Sequence, residues 1–129
     1  MNYPTDLRFT KNDEWVRLEG ASATTGISHY AQDALSDIVY VELPTPGDSF
    51  KQGEAYTSIE SVKAAAEVYL PLGGAITAVN DALSATPELL NKDPHGAGWI
   101  ARFTADNPAE LEGLMDAGAY EKYCEERKA

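Results

Sequence analysis

The order of apolar and polar positions marks out a series of short strands, with a few helices between and after them. Trp15 to Glu19 alternates, with Val16 and Leu18 on one face, and Glu19-Gly20 turns the chain into a second strand, Ala21 to Ile27. Ser28 is placed to cap a short helix through Leu35, on which Tyr30, Ala31, Ala34 and Leu35 share a side. Asp37 to Leu43 alternates again, with Val39, Val41 and Leu43 pointing one way, and Pro44 to Gly47 ends it because proline cannot donate to a sheet. Ala55 to Ile59 and Val68 to Leu70 are apolar-rich runs flanking a short polar tip. The second run closes in Pro71-Leu72-Gly73-Gly74, and the pair reads as a hairpin.

Ala75 to Val79, carrying Ile76, is the next strand, broken by Asn80 and Asp81. Thr86-Pro87 then opens a short helix, with proline at its first position, that stops at Asn91, Asp93, Pro94 and Gly96. Trp99 to Phe103 is strand-like. Asn107-Pro108-Ala109-Glu110 has the form of a capping box opening a helix with Leu111, Leu114 and Met115, and a last helix runs from about Ala117 to Glu126 on a stripe of Tyr120, Tyr123 and Cys124. About six or seven short strands, with helices gathered mostly toward the C-terminus, predict a mainly β (α+β) fold of two small antiparallel sheets packed face to face. Trp15, Tyr40, Val41, Trp99 and Ile100 are expected in its core.

Length narrows this to a single domain over residues 1–129, with its core at about 13–103 and a helical extension at about 107–127. No apolar run approaches the length of a membrane span. MNYPTDLRF has neither a signal-peptide nor a transit-peptide pattern, which predicts a bacterial cytoplasmic protein, or a mitochondrial matrix one if a presequence has been replaced by Met1. A formal net charge of −11 disfavours nucleic acid and anionic lipid as partners, since both would repel it. The single cysteine, Cys124, leaves no intramolecular disulfide. His29 and His95 lack Cys or acidic partners at zinc spacing, so no metal site is expected, and His29 reads as a solvated loop or helix residue. No GxSxG, HExxH or Cys/His/Asn pattern is present, and Gly73-Gly74 reads as a turn. A catalytic centre is not expected.

The residue left with chemistry to offer is Lys63, between Glu60 and Glu67 at the hairpin tip. Taken alone it has two readings. It solvates a loop, as most turn lysines do, or it holds a long prosthetic arm, with two strands fixing its Cα and Ser61, Ala64, Ala65 and Ala66 leaving room for a modifying enzyme.

ESVKAAAEV, centred on Lys63, resembles the lipoyl-attachment motif of the H-protein family of the glycine cleavage system. DEWVRLEG at Asp13 to Gly20, GISHYAQDALSDIVYVELPTPGD at Gly26 to Asp48, PELLNKDPHGAGWI at Pro87 to Ile100 and AYEKYC at Ala119 to Cys124 resemble the same family in order and spacing. This resemblance implies a barrel-sandwich hybrid, the hammerhead of lipoyl and biotinyl carriers, and lipoate in amide linkage to Lys63. It implies a monomeric shuttle, not an enzyme. On that reading the arm takes the aminomethyl group of glycine from a pyridoxal-phosphate decarboxylase, and an aminomethyltransferase passes its carbon to tetrahydrofolate. A flavin dihydrolipoyl dehydrogenase then reoxidises the dithiol. A lipoate ligase or octanoyltransferase would load the tip, reading Glu60, Ser61, Val62, Ala64 and Glu67. The family pattern also places a pocket glutamate at Glu14, where it would hold the cationic amine away from water, and the arm near Tyr30. Many members have histidine where Asp13 stands and some where Tyr30 stands, which puts a proton-accepting role for Tyr30 in doubt.

Biotinyl tips place methionine on both sides of the lysine, and here Val62 and Ala64 stand there. No Pro/Ala-rich or Gly/Ser-rich linker of the kind that tethers acyltransferase lipoyl domains is visible, so the carrier is expected to diffuse and to dock reversibly. A lipoate relay to 2-oxoacid dehydrogenase acyltransferases and an unmodified interaction module remain as alternatives.

Overall fold

A computed structural model describes residues 3–128, with the side chain of residue 128 left aside. Nine strands form two antiparallel sheets, and neither closes into a barrel. The larger sheet has the order β1-β2-β3-β9-β8-β5, built from Arg8–Phe9, Glu14–Glu19, Ser22–Ile27, Ala101–Ala105, Gly74–Val79 and Ser49–Phe50. The smaller has the order β4-β6-β7, from Ile38–Glu42, Ala55–Ser61 and Ala65–Tyr69. Helices are short: α1 is His29–Leu35, α2 Ala82–Ala85 and α3 Leu89–Lys92, and the longest, α4, is Ala117–Lys128. No helix of the described residues is long and apolar enough to cross a membrane.

Alternation builds the interior. Ile59 and Val68 from the hairpin sheet meet Ile76, Phe103 and Ala23 from the larger one, with Leu83 and Leu90 of the short helices closing the end. A second cluster gathers Leu7, Phe9, Trp15, Tyr120 and Cys124, so residues before the expected core boundary at 13 are part of the packing. Phe9 stacks on Tyr120 at 4.3 Å with ring planes 4° apart. Trp15 lies over Gly26, where a Cβ would fall 2.9 Å from Nε1, and its N–H donates to Pro94 O at 2.8 Å. Any side chain at position 26 would push the indole off that bond.

Several local expectations are corrected. β4 does not alternate through Val39, Val41 and Leu43, because a register shift between Ile38 and Tyr40 bulges the strand. Ile38 and Val41 are buried, whereas Val39 and Tyr40 stand out together. Tyr40 is therefore not a core residue, and Trp99 is only half-buried, ahead of β9, under the guanidinium of Arg102. On α1, Ser28 does cap Ala31 N–H, but Gln32 is buried and Ala34 exposed, since Gln32 bonds to Asn91 and His29. Thr86-Pro87 does not start a helix: α2 precedes it and α3 begins at Leu89. The Asn107 box does not form either. Asn107 makes no side-chain cap, the segment Pro108–Gly113 is a 3-10 helix, and Glu110 accepts the Gly73 N–H at 3.0 Å instead. The two-residue strands β1 and β5 carry too short a pattern to be read from sequence.

Candidate functional site

β6 and β7 pair as Ser58↔Glu67, Ile59↔Ala66 and Glu60↔Ala65, carrying the ladder closer to the tip than the apolar runs alone suggested. The turn is held from within. Ser61 N–H donates to Ala64 O at 2.7 Å, and Ser61 Oγ accepts the N–H groups of Ala64 at 3.1 Å and Lys63 at 3.4 Å. Val62 N–H donates to Asp37 O at 2.9 Å, which ties the tip to the entry of β4. Backbone position is thus fixed while the side chains of Val62, Lys63 and Ala64 are exposed. Among the described residues the ion pairs are Arg17–Asp6 and Arg127–Asp13, so neither Glu60 nor Glu67 captures the Lys63 amine. An amine so placed suits acylation and a mobile adduct.

Glu14 opens β2 and is no surface carboxylate: it is 2% exposed. One oxygen accepts the Thr10 hydroxyl, and the other accepts the Tyr69 N–H at 3.2 Å from the last residue of β7. A register shift between Ala55 and Thr57, opposite Tyr69, interrupts the hairpin ladder there. Burial pushes the Glu14 carboxyl up to about 7, against the lowering effect of its Thr10 and Tyr69 hydrogen bonds. Tyr56 sits in that bulge with its hydroxyl enclosed, and burial and then the charge of Glu14 push its ionisation up. The interior beside Glu14 therefore carries polar groups of its own. Tyr69 ends β7 and Lys63 lies in the turn just before it, a distance of roughly 20 Å at most along extended chain.

Tyr30 stands on α1. Its ring packs with the second core cluster, under the Arg127 guanidinium at 4.0 Å, and the same guanidinium lies 4.0 Å from the Tyr123 ring. Arg127 pairs with Asp13 at 2.6 and 3.1 Å, and Tyr120 Oη donates to Asp13 at 2.7 Å. Asp13 has a φ of 69°, a left-handed conformation that Asp tolerates better than most residues, and its carbonyl accepts Ser28 N–H at 2.8 Å. Asp13 thereby fixes the chain where it enters Glu14. Thr10, Asp13, Tyr69 and Arg127 are the positioning residues that sequence reasoning missed. Only the Thr10 contact is local; Asp13 and Arg127 are 114 residues apart.

A family model described as glycine cleavage H-protein matches residues 7–127. The chain is 46% identical over 125 residues to a glycine cleavage system H protein of Symbiobacterium thermophilum, covering 97% of this chain and 98% of that one. To the protein of the same name from Thermotoga maritima it is 50% identical over 117 residues, covering 91% and 94%. Among solved structures, a crystal structure of a glycine cleavage system H protein from Mycobacterium marinum superposes with a TM-score of 0.85 at 31% identity, covering 94% of this chain and 98% of that one.

Proposed function

From the premise that this chain belongs to the glycine cleavage H-protein family, we propose that Lys63 is the residue through which it acts, as the attachment point of its lipoyl arm. The chain is a lipoyl carrier of the glycine cleavage system and a carrier component rather than one of its enzymes. The observation that carries the assignment of Lys63 is the tip itself: an exposed, unpaired amine on a turn whose backbone is fixed by Ser61 and Asp37. Amide formation at Nζ removes the charge of the lysine and leaves the hairpin unchanged. When bound, a lipoyl group supplies a reactive disulfide and, after reduction, a dithiol.

The rest of the reading concerns the chain's own residues. Glu14 serves as the internal anchor for a cationic amine, with Thr10 and Tyr69 orienting its carboxylate and Asp13 holding its strand. A charge-assisted bond there, out of water, slows loss of the carbon from an amine that water would otherwise attack. Glu60, Ser61, Val62, Ala64 and Glu67 form the surface an acylating enzyme reads. The working partners are the pyridoxal-phosphate glycine decarboxylase, the tetrahydrofolate-dependent aminomethyltransferase, the flavin dihydrolipoyl dehydrogenase and a lipoate ligase or octanoyltransferase.

Incubation with a lipoate ligase, lipoate and ATP tests the assignment. Intact-mass analysis is expected to show one added lipoyl group on the wild-type chain and none on Lys63→Arg, and only the loaded chain is expected to support exchange of the glycine carboxyl with bicarbonate by the decarboxylase. A wild-type chain that stays bare, or a Lys63→Arg chain that gains the mass, overturns it.

A further inference from the structure

We propose that Val39 and Tyr40, together with Val62, form the apolar knob by which the enzyme that acylates Lys63 grips this carrier, an inference that rests on the reading of Lys63 as the attachment site. Among the described residues the large apolar side chains that stand exposed are these three, at 53%, 52% and 65%. They lie at one end of the molecule. Tyr40 is opposite Glu60 on β6, Glu60 is opposite Ala65 on β7, and Val62 N–H is bonded to Asp37 O just before β4. A regular strand turns alternate residues to opposite faces, so it would expose only one of two neighbours. The bulge between Ile38 and Tyr40 brings both out beside the tip. Such irregularities re-aim side chains, and an apolar pair left in water next to a modification site is an interface residue pair waiting for its cover.

Charge and reach together identify that cover. Asp37 precedes β4 and Glu42, Glu60 and Glu67 lie on the same three strands, while between residues 18 and 91 the only lysine or arginine side chains are Lys51 and Lys63. The complementary surface is an apolar slot with a lysine- or arginine-bearing rim. An unmodified lysine carries its amine only roughly 6 Å from its Cα. An enzyme that acylates it must therefore close over the tip and over whatever stands within a side-chain length of it. Enzymes that use the finished arm reach it from further away and need not cover this end. In the acylation itself the amine attacks the carbonyl of an activated acyl-adenylate, the amide bond forms, AMP leaves, and the displaced proton passes to solvent.

The test is steady-state lipoylation of the full chain by an ATP-dependent lipoate ligase, followed by intact mass. Tyr40→Ser and Val39→Ser are each expected to raise KM about tenfold, with kcat little changed, as for truncation of an interface anchor. Tyr40→Phe is expected to keep the wild-type KM, because the ring and not the hydroxyl docks, and raising the salt concentration is expected to weaken binding of the wild type. Circular dichroism checks that each variant is folded, and Tyr40→Phe keeps the test decisive should Tyr40→Ser fail to fold. Wild-type KM in a folded Val39→Ser, or a tenfold rise in Tyr40→Phe, overturns the knob while leaving the attachment site intact. A wild-type chain that accepts no lipoyl group overturns the attachment site itself.

Discussion

At Glu14 the fold holds a carboxyl against the cost of burying its charge. Its carboxyl is pushed from 4.5 to about 7 mainly by burial, so between those pH values the unfolded chain gives up a proton that the folded chain keeps. Stability therefore falls as pH rises through this window, by about 1.4 kcal/mol per pH unit from this group. His95 works in the opposite sense. Burial first, and then neighbouring His29, hold it down from 6.5 to about 4, and its Nε2 accepts the His29 N–H at 3.2 Å as a neutral ring must. Between pH 4 and 6.5 the unfolded chain binds a proton the folded chain refuses, so His95 contributes stability that is lost as the medium is acidified. The two slopes oppose each other where they overlap. Glu14→Gln keeps an acceptor for the Tyr69 N–H but does not ionise. It is expected to gain on the order of 2 kcal/mol at pH 8 and to weaken visibly below pH 6.5 as the His95 slope is unmasked. Urea melts from pH 4.5 to 8 check this, and parallel curves for the two proteins would refute it. Asp13-Glu14-Trp15 gives no hint of that burial in sequence, because the groups that enclose Glu14 come from Thr10 and from β7, 55 residues away. The exposed turn that holds Lys63 was legible, since its setting is local.

Elements were legible where a period had room to repeat. The lysine hairpin, the β2–β3 hairpin and α4 form where their runs predict them, with Tyr120 and Cys124 of α4 buried, and Ser28 caps α1 as its position suggests. The pattern misled where one extra residue entered, as in β4, and where a side chain found a better partner at long range, as Glu110 did with Gly73. The C-terminal helix illustrates what long-range partners contribute. Tyr120 stacks on Phe9 and bonds Ser28 Oγ at 2.6 Å, while Arg127 forks onto Asp13 and is flanked by two tyrosine rings. Arg127→Ala leaves Asp13 in its left-handed turn without a counter-charge and is expected to lower stability by about 1–2 kcal/mol. Arg127→Lys is expected to recover little, since an ammonium neither forks nor stacks. Thermal melts of the two variants decide this, and a wild-type melting temperature in Arg127→Ala would remove the clamp from the account.

Over the whole molecule, two sheets of unequal width divide the work: the wider one carries most of the fold and the narrower one presents the lysine. β3 and β9 stand at the centre of the wider sheet, with paired neighbours on both sides. Their amides are expected to exchange most slowly with solvent, and those of Val62 to Ala64 fastest among the hairpin residues, before and after acylation alike. Hydrogen exchange read by mass spectrometry tests this, and protection at the tip equal to that of β9 would contradict it. What joins the sheets near Glu14 has a consequence for delivery. The acid that would receive a passenger is also a rivet, with one oxygen on Thr10 and the other on the last amide of the lysine-bearing strand. A newcomer must share those oxygens with the protein's own fastenings, so its berth is shallow, and a courier whose grip is shallow can hand over its parcel at the next door.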